Sequence, residues 1–290
     1  MIIGVDGNEA NVPNRVGVSV YTHEMLSFFQ KNSSESQQFV VYLRKVPMPD
    51  LPQETTYFHY RVVKPDLIWS QMSLPVDLFM NRKLDVFFSP AHYAPRASPV
   101  PTVVTIHDLA YKFFPNEFLS GDLYKLNKWT EYSVKKAARV ICVSEHTKSD
   151  LVKFFPKVES KTSVVLNGFR TPKKLRVTGY KLQESNPYIL FVGTIQPRKN
   201  ISALIEAFEE FVQAHPEFEL KIVGKRGWLY SETLKRIESS PFLKQIKYLG
   251  FVADKELESI YVNAYATVLS SHYEGFGLPV LEAMSYGSPV

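Results

Sequence analysis

The chain carries a single cysteine among its 290 residues, so no internal disulfide can form and a reducing, cytoplasmic compartment fits. That residue, Cys142, sits in the apolar run ARVICVS, and a cysteine buried in a strand is ordinarily inert rather than nucleophilic. Long hydrophobic runs are missing too. None approaches the roughly 20 residues a bilayer-spanning helix needs, and the N-terminal MIIGVDGNEANVPNR has no basic segment leading into an apolar one. It reads directly as a strand. Neither VDGNEANVPNRVG nor VGTIQPRKN supplies the G-x-G-x-x-G turn of nicotinamide-dependent oxidoreductases, which disfavours that class. With no D-x-D carboxylate pair and no His/Cys cluster at ligand spacing, neither a metal-bridged diphosphate nor a resident metal is expected. Fixed-period repeats and low-complexity tracts are absent as well.

What remains is an ordinary globular composition, 45% hydrophobic and 22% charged, long enough for two domains. The net charge of +5 is uneven: 22 basic and 16 acidic residues lie up to Leu175, against 12 and 13 beyond it. Part of the basic excess, Lys125, Lys128, Lys135, Lys136 and Arg139, falls at an amphipathic helix predicted near residues 121–138. A solvated face is the default reading of those cations. Their functional reading is reversible attachment to an anionic membrane surface, each contributing on the order of 1 kcal/mol. Nucleic acid is not an expected partner, because no basic-aromatic module accompanies the charge.

Strand and helix signals alternate through both halves. IIGVD, YTHEMLSFF, FVVYLR, DVFFSP, TVVTIHD, RVICVS and HTKSDLVKFF come first, then YILFVGT, ISALIEAFEEFVQ, FELKIVG, SETLKRIESS, IKYLGFV and AYATVLS. This is α/β organisation. Ser144 reads as a helix N-cap with Glu145 in the first turn. The polar, proline-containing RTPKKLRVTGYKLQESNP separates the two alternations. The expected layout is a domain over 1–172, a linker over 173–187 and a second domain over 188–290.

The most telling segment is SSHYEGFGLPVLEAMSYGSPV, from Ser270 to Val290. Pro279 suits the first turn of a helix, where its missing N–H costs nothing, and Gly287 and Pro289 are stop signals. A helix is therefore predicted over roughly 279–286. The preceding Gly275-Phe276-Gly277-Leu278 loop offers free backbone N–H groups at a helix start, a ready seat for a diphosphate. Two carboxylates bracket it, Glu274 before the loop and Glu282 one turn into the helix.

The run E-G-F-G-L-P-V-L-E-A-M resembles the E-x7-E element of retaining glycosyltransferases of the group 1, family 4 class, which have the GT-B fold, and it is most similar to mannosyltransferase-B-like members. The resemblance covers the chain from Gly4 to Val290. It implies two facing Rossmann-like α/β domains with parallel sheets, an acceptor-side one first and a nucleotide-sugar-binding one second. It also implies that Glu274 lies by the donor sugar, Glu282 on the ribose hydroxyls, and Gly277 and Leu278 at the diphosphate. In GTIQPRKN, Lys199 matches a family cation set against the diphosphate, and Arg198 accompanies it. Many relatives place an arginine directly after the strand glycine, where this chain has Thr194.

His107 in TVVTIHDLA matches the family histidine on the acceptor side, close to the transferred sugar, with Asp108 orienting the loop or the imidazole. Gly17 in NRVGVSVY matches a glycine-rich turn that approaches the donor phosphate, its usual paired glycine being replaced and Val16 and Val18 its neighbours. Gly224 in IVGKRGW and Val252 in LGFVADKEL match positions around which the family binds the nucleobase through backbone groups. The reaction so implied is a metal-independent transfer of a hexose with retention, foremost of mannose from GDP-mannose, to a glycan or a lipid-linked saccharide. Same-face substitution assisted by the leaving phosphate is the mechanism the class implies. His107 and Glu274 would be catalytic, the other matched residues would bind the donor, and the sugar nucleotide would be co-substrate with no further cofactor. A UDP-sugar donor on the same fold stays open, since no residue fixes the base. Family members continue beyond the G-x-P-V element through further strands and a terminal helix, so a C-terminally truncated chain with an incomplete second sheet and a bare apolar edge is expected. A sugar-nucleotide-binding protein without turnover is the alternative that this leaves.

Overall fold

The apolar runs pair as parallel strands, and most successive strands are joined by a helix that returns the chain to the same edge of the sheet. The computed structural model describes residues 1–66, 68–81, 83–169 and 186–290. The linker expected over 173–187 lies outside the described residues apart from Asn186 and Pro187. Residues 1–113 and 120–167 form one unit, and residues 114–119 and 168–290 form another.

The first unit is built on β1 (Ile2–Asp6), β2 (Gln38–Leu43), β3 (Phe58–Val62), β4 (Val86–Ser89), β5 (Thr102–Ile106), β6 (Arg139–Cys142) and β7 (Thr162–Val164). All run parallel, in the order β3-β2-β1-β4-β5-β6-β7. Helices α1 (Val18–Lys31), α2 (Ser73–Met80), α3 (Ala110–Phe113), α4 (Ser120–Lys136) and α5 (Glu145–Phe154) connect or flank them. Leu26 of α1 is buried with Val5, Phe39, Val41 and Phe58 of the sheet. Ser144 caps α5, its hydroxyl accepting from Thr147 N at 3.0 Å, with Glu145 in the first turn. Strand order reverses between β1 and β4, and open α/β sheets bind ligands at such a switch, beyond the carboxyl ends of the strands.

The second unit repeats the pattern with β8 (Tyr188–Val192), α6 (Ile201–Ala214), β9 (Glu219–Val223), α7 (Ser231–Glu238), β10 (Ile246–Gly250), α8 (Asp254–Asn263), β11 (Ala266–Thr267) and α9 (Leu278–Ser285). Its parallel sheet has the order β10-β9-β8-β11 and reverses between β8 and β11. α6 buries Ile201, Leu204, Ile205, Phe208 and Val212 on one face, against Phe191, Leu220 and Ile222.

Some elements depart from expectation. AYATVLS pairs as a strand only at Ala266–Thr267, β3, α2, α3 and α8 add elements that the pattern did not announce, and α9 opens at Leu278. Residues 114–119, expected in the first domain, pack with the second unit. The edge of β11 is not bare at Thr267, whose N–H donates to the Pro289 carbonyl at 2.7 Å and whose hydroxyl lies 2.8 Å from Ser288 Oγ.

Candidate functional site

In the second unit, the loops after β8 and β11 flank the reversal of strand order. A short 3-10 turn at Pro197–Lys199 brings Arg198 and Lys199 to the loop that follows β11. Lys199 is 8% exposed and forms an ion pair with Glu274 Oε1. Arg198 Nη1 lies 3.5 Å from Glu274 Oε2 and donates to the Tyr273 carbonyl at 2.8 Å. Ser271 Oγ donates to Glu274 at 2.6 Å, Ser270 Oγ to the Lys199 carbonyl at 2.8 Å, and His272 N to the Arg198 carbonyl at 3.0 Å. Two loops remote in sequence are thus zipped around one carboxylate and two cations. Such a cluster can receive an anion without moving new charge into the fold.

Gly277 takes φ +87° and caps α9, a left-handed conformation that glycine adopts without strain. One turn inside, Glu282 accepts from Tyr261 O–H at 3.0 Å. Burial, and then the charge of Glu282, push the Tyr261 phenol well above its ordinary range, so it stays a donor. Tyr261 also stacks on Tyr286 at 5.5 Å. Gly224 has a packing reason to be glycine: a Cβ there would stand 1.9 Å from the Gly193 carbonyl oxygen. The Val252 side chain is buried in an apolar cluster with Val223, Ile260 and Tyr261. Residues 114–119 add aromatic contacts to this unit that sequence reading missed. Phe114 stacks on His272 at 5.8 Å, Phe118 lies 5.4 Å from Trp228, and Trp228 Nε1 donates to the Glu117 carbonyl at 2.6 Å.

In the first unit, His107 leaves β5 at the carboxyl edge, and its Nε2 lies 2.7 Å from the Pro90 carbonyl in the loop after β4. A carbonyl only accepts, so Nε2 carries the proton and Nδ1 keeps its lone pair. Burial, then the neighbouring His92, lower the His107 pKa to about 4, and the ring is neutral at pH 7. Tyr21 of α1 meets it edge-on at 4.8 Å. Asp108 accepts from Ala110 N at 3.1 Å and so fixes the start of α3. Gly17 is the N-cap of α1 at φ +52°, with nothing within 4 Å of where a Cβ would stand; backbone conformation, not crowding, is its constraint. Sequence reading passed over Asp6, raised in pKa by burial and bonded to Asn8 Nδ2 at 2.6 Å, and over His92, 5.9 Å from His107 between ring centroids.

Residues 16–172 match the family model described as Glycosyltransferase Family 4, and residues 177–290 match that of Glycosyl transferases group 1. The chain belongs to Glycosyltransferase Family 4. It is 29% identical over 213 residues to O-antigen chain mannosyltransferase B of Escherichia coli, an alignment that covers 71% of this chain and 56% of that protein. The family 4 chain thus spans little more than half the length of this relative. Among solved structures it is similar to sucrose-phosphate synthase from Thermosynechococcus elongatus, at TM-score 0.71 and 16% identity, covering all of this chain and 80% of that one. It is also similar to Anabaena HepE in complex with UDP and glucose, at TM-score 0.66 and 18% identity, covering all of this chain and 79% of that one. The fold is GT-B, an α/β architecture of two Rossmann-like units with parallel sheets.

Elsewhere in the family 4 chain, Cys142 is buried and its thiol is pushed up to about 12 by burial, which removes it as a nucleophile. Among the described residues no group of three His, Cys, Asp or Glu side chains could hold a metal ion, and no helix is long and apolar enough to cross a membrane. Lys125, Lys128, Lys135, Lys136 and Arg139 are all exposed. Lys125 lies 3.5 Å from Asp122 and Lys135 pairs with Glu131 at 2.5 Å, so the charge of the α4 region is partly answered from within.

Proposed function

We propose that the chain is a retaining hexosyltransferase that takes mannose from GDP-mannose and passes it to a glycan or lipid-linked saccharide. The observation that carries this reading is the Lys199–Glu274–Arg198 cluster at the strand-order reversal of the second unit, in a chain similar to a mannosyltransferase over 71% of its length. Transfer from a nucleoside diphosphate requires positive charge at the departing phosphates while the anomeric carbon becomes electron-poor. In this reading Arg198, Lys199 and the helix start at Gly277 and Leu278 supply that charge, and Gly17 lets the backbone approach the phosphate. Glu274 orients the sugar, Glu282 holds the ribose, and the backbone at Gly224 and Val252 meets the base. His107, neutral with its lone pair on Nδ1, accepts from a hydroxyl near the reacting carbon. Residues 1–172 serve the acceptor and 188–290 the donor, with 173–187 as the linker.

Because two side-chain cations are already at the cluster, we propose that no metal ion is needed, and EDTA should leave the rate unchanged. We place the chain at the cytoplasmic membrane face, held through the exposed cations of the α4 region. Co-sedimentation with anionic vesicles that is absent even at low salt would remove that attachment.

The deciding experiment is a thermal-shift panel of GDP, UDP, ADP and their common sugar conjugates, followed by transfer assays. A ligand at 100 times its Kd adds about 2.7 kcal/mol to the folded state. A shift confined to the GDP series supports mannosyl transfer, and a UDP-series shift replaces the donor while keeping the transferase. Binding without transfer or donor hydrolysis would turn the reading into a sugar-nucleotide-binding protein. A folded sample that none of these compounds shifts would sink it.

A further inference from the structure

Helix α2, SLPVDLFM, is apolar on both of its faces. Ser73, Leu74, Pro75 and Leu78 are buried, and the two leucines join Tyr42, Trp69 and Phe87 in one cluster of the first unit. The opposite face is open to solvent: Met72, the N-cap, is 60% exposed, Val76 58%, Phe79 44% and Met80 80%. Their spacing is that of a single helix face. The one charged residue of the helix, Asp77, has its two carboxylate oxygens held by Arg61 at 2.7 Å each. A helix apolar on both faces calls for cover on both, and a contiguous apolar stripe on a surface marks a place where something docks.

The rim of the stripe indicates the cover. Ser73 Oγ donates to the Pro65 carbonyl at 2.7 Å, which sets the start of α2 beside Lys64. Asp66 is bonded to Lys64 at 2.7 Å, and that bond, with the charges of Lys45 and Arg44, holds its carboxyl below the usual range; one anion there faces three cations. Lys83 follows the other end of the helix. Arg96 N donates to the Ser70 carbonyl at 3.1 Å while its guanidinium lies 5.2 Å from the Tyr132 ring centroid, so a cation bridges the entry of α2 to the basic helix α4. All five of these cations are exposed. A second copy of the chain is a poor cover, because a two-fold interface sets the same patch against itself and would bring like charges together. An anionic bilayer answers the cations and takes apolar side chains at its headgroup boundary.

We propose that the outer face of α2 docks into an anionic lipid bilayer, with Met72, Val76, Phe79 and Met80 entering the headgroup boundary and the surrounding cations meeting the lipid charge. This rests on the membrane placement above, to which it adds an apolar element, and not on the choice of donor. With the full chain, partition onto vesicles of phosphatidylcholine, with and without phosphatidylglycerol, is measured at low salt together with melting temperature and solution mass. The wild type should prefer the mixed vesicles. Val76→Ser combined with Met80→Gln should melt near the wild-type temperature and lose about tenfold or more in that partition. A second measurement places an environment-sensitive fluorophore on Met80→Cys, the native Cys142 being buried. Val41 clusters with Leu26 of α1 and the adjacent Tyr42 with Leu74 of α2, so the two helices lie on opposite faces of the sheet. The same label on Phe28→Cys of α1, a position 60% exposed, is therefore the control. Emission from the Met80 label should brighten and shift blue on mixed vesicles, and that from the Phe28 label should not. Undiminished partition of the double variant, or an unresponsive Met80 label on bound protein, would overturn the inference and leave attachment to the α4 cations. Equal partition onto both vesicles would overturn the choice of lipid, and a wild-type dimer that the double variant loses would give the face to a second copy. A wild type that binds no anionic vesicle removes the membrane placement itself, and the role of α2 with it; one that binds vesicles through α2 but no nucleotide removes only the transferase reading.

Discussion

Lys199 and Glu274 stand 75 positions apart in the chain and close as an ion pair between the loops that follow β8 and β11. Arg198 lies 3.5 Å from the other carboxylate oxygen, so one anion answers two cations, and removing a partner has unequal consequences. Lys199→Met leaves Glu274 with Arg198 and Ser271. Glu274→Gln leaves two adjacent cations, one of them 8% exposed, without their counter-charge. Breaking a largely buried pair costs on the order of 3 kcal/mol, and the larger loss should belong to Glu274→Gln. An added anion supplies the missing charge, so GDP should raise the melting temperature of Glu274→Gln by more than that of the wild type. Urea unfolding of both variants, with and without saturating GDP, is the check; equal losses with equal GDP shifts would contradict the argument.

Gly224 calls for a different kind of test. A Cβ at this position would overlap the Gly193 carbonyl oxygen at 1.9 Å, and backbone carbonyls at two strand ends have little room to yield. Gly224→Ala should therefore lose stability, by roughly 3 kcal/mol or more once backbone strain and overpacking combine. Because the same clash displaces the backbone proposed to meet the base, any fraction that folds should also show a raised KM for the sugar nucleotide. A fully stable variant with a raised KM would instead assign Gly224 to the ligand alone.

How much of this was legible beforehand varies with the reach of the contact. α6 shows its buried face in the local spacing of Ile201, Leu204, Ile205 and Phe208. α9 announces itself through Gly277 and Pro279, and α5 through Ser144. Glu274 and Glu282 were visible because nine consecutive positions of one loop and helix carry them both. The Tyr261 partner of Glu282 was not, lying 21 residues away on another helix. The grouping of 114–119 with the second unit depends on Trp228 and His272, more than a hundred residues along, and nothing in FPNEFL foretells it. β3 was missed because FHYRV lies at a sheet edge and buries only Phe58. His92 is a lone histidine in a loop, and only the fold brings its ring to 5.9 Å from that of His107.

The neutrality of His107 has a measurable consequence for stability. Its folded pKa is about 4 against an ordinary value of 6.5. As pH falls through 6.5 the unfolded chain takes up a proton that the folded chain refuses until near pH 4, so stability drops across that window and is complete above it. His92 is lowered in the same direction. The His107 contribution is on the order of 3 kcal/mol when fully expressed. His107→Gln keeps an N–H for the Pro90 carbonyl and removes the titration, so urea midpoints of that variant should change less than the wild type's between about pH 7 and about pH 4.5. Parallel pH profiles for the two proteins would show that the imidazole titrates as if exposed.

Glu282 and Tyr261 make the last test, because they separate holding a ligand from shaping the residue that holds it. Tyr261 O–H donates to one carboxylate oxygen at 3.0 Å, while its ring is held against Tyr286. The bond fixes the orientation of the carboxylate that, in the proposed role, accepts from the ribose hydroxyls. Hydrogen bonds to a charged group contribute about 1.5–3 kcal/mol each, so the wild type should prefer GDP to its 2′,3′-dideoxy analogue by a factor of ten or more. Glu282→Gln should abolish most of that preference. Tyr261→Phe keeps the stack and the charge but frees the carboxylate to move, and its preference should fall between the two. Competition binding with the two nucleotides gives the ratios directly. If Glu282→Gln discriminates as the wild type does, the ribose is held elsewhere and the second carboxylate serves the helix alone.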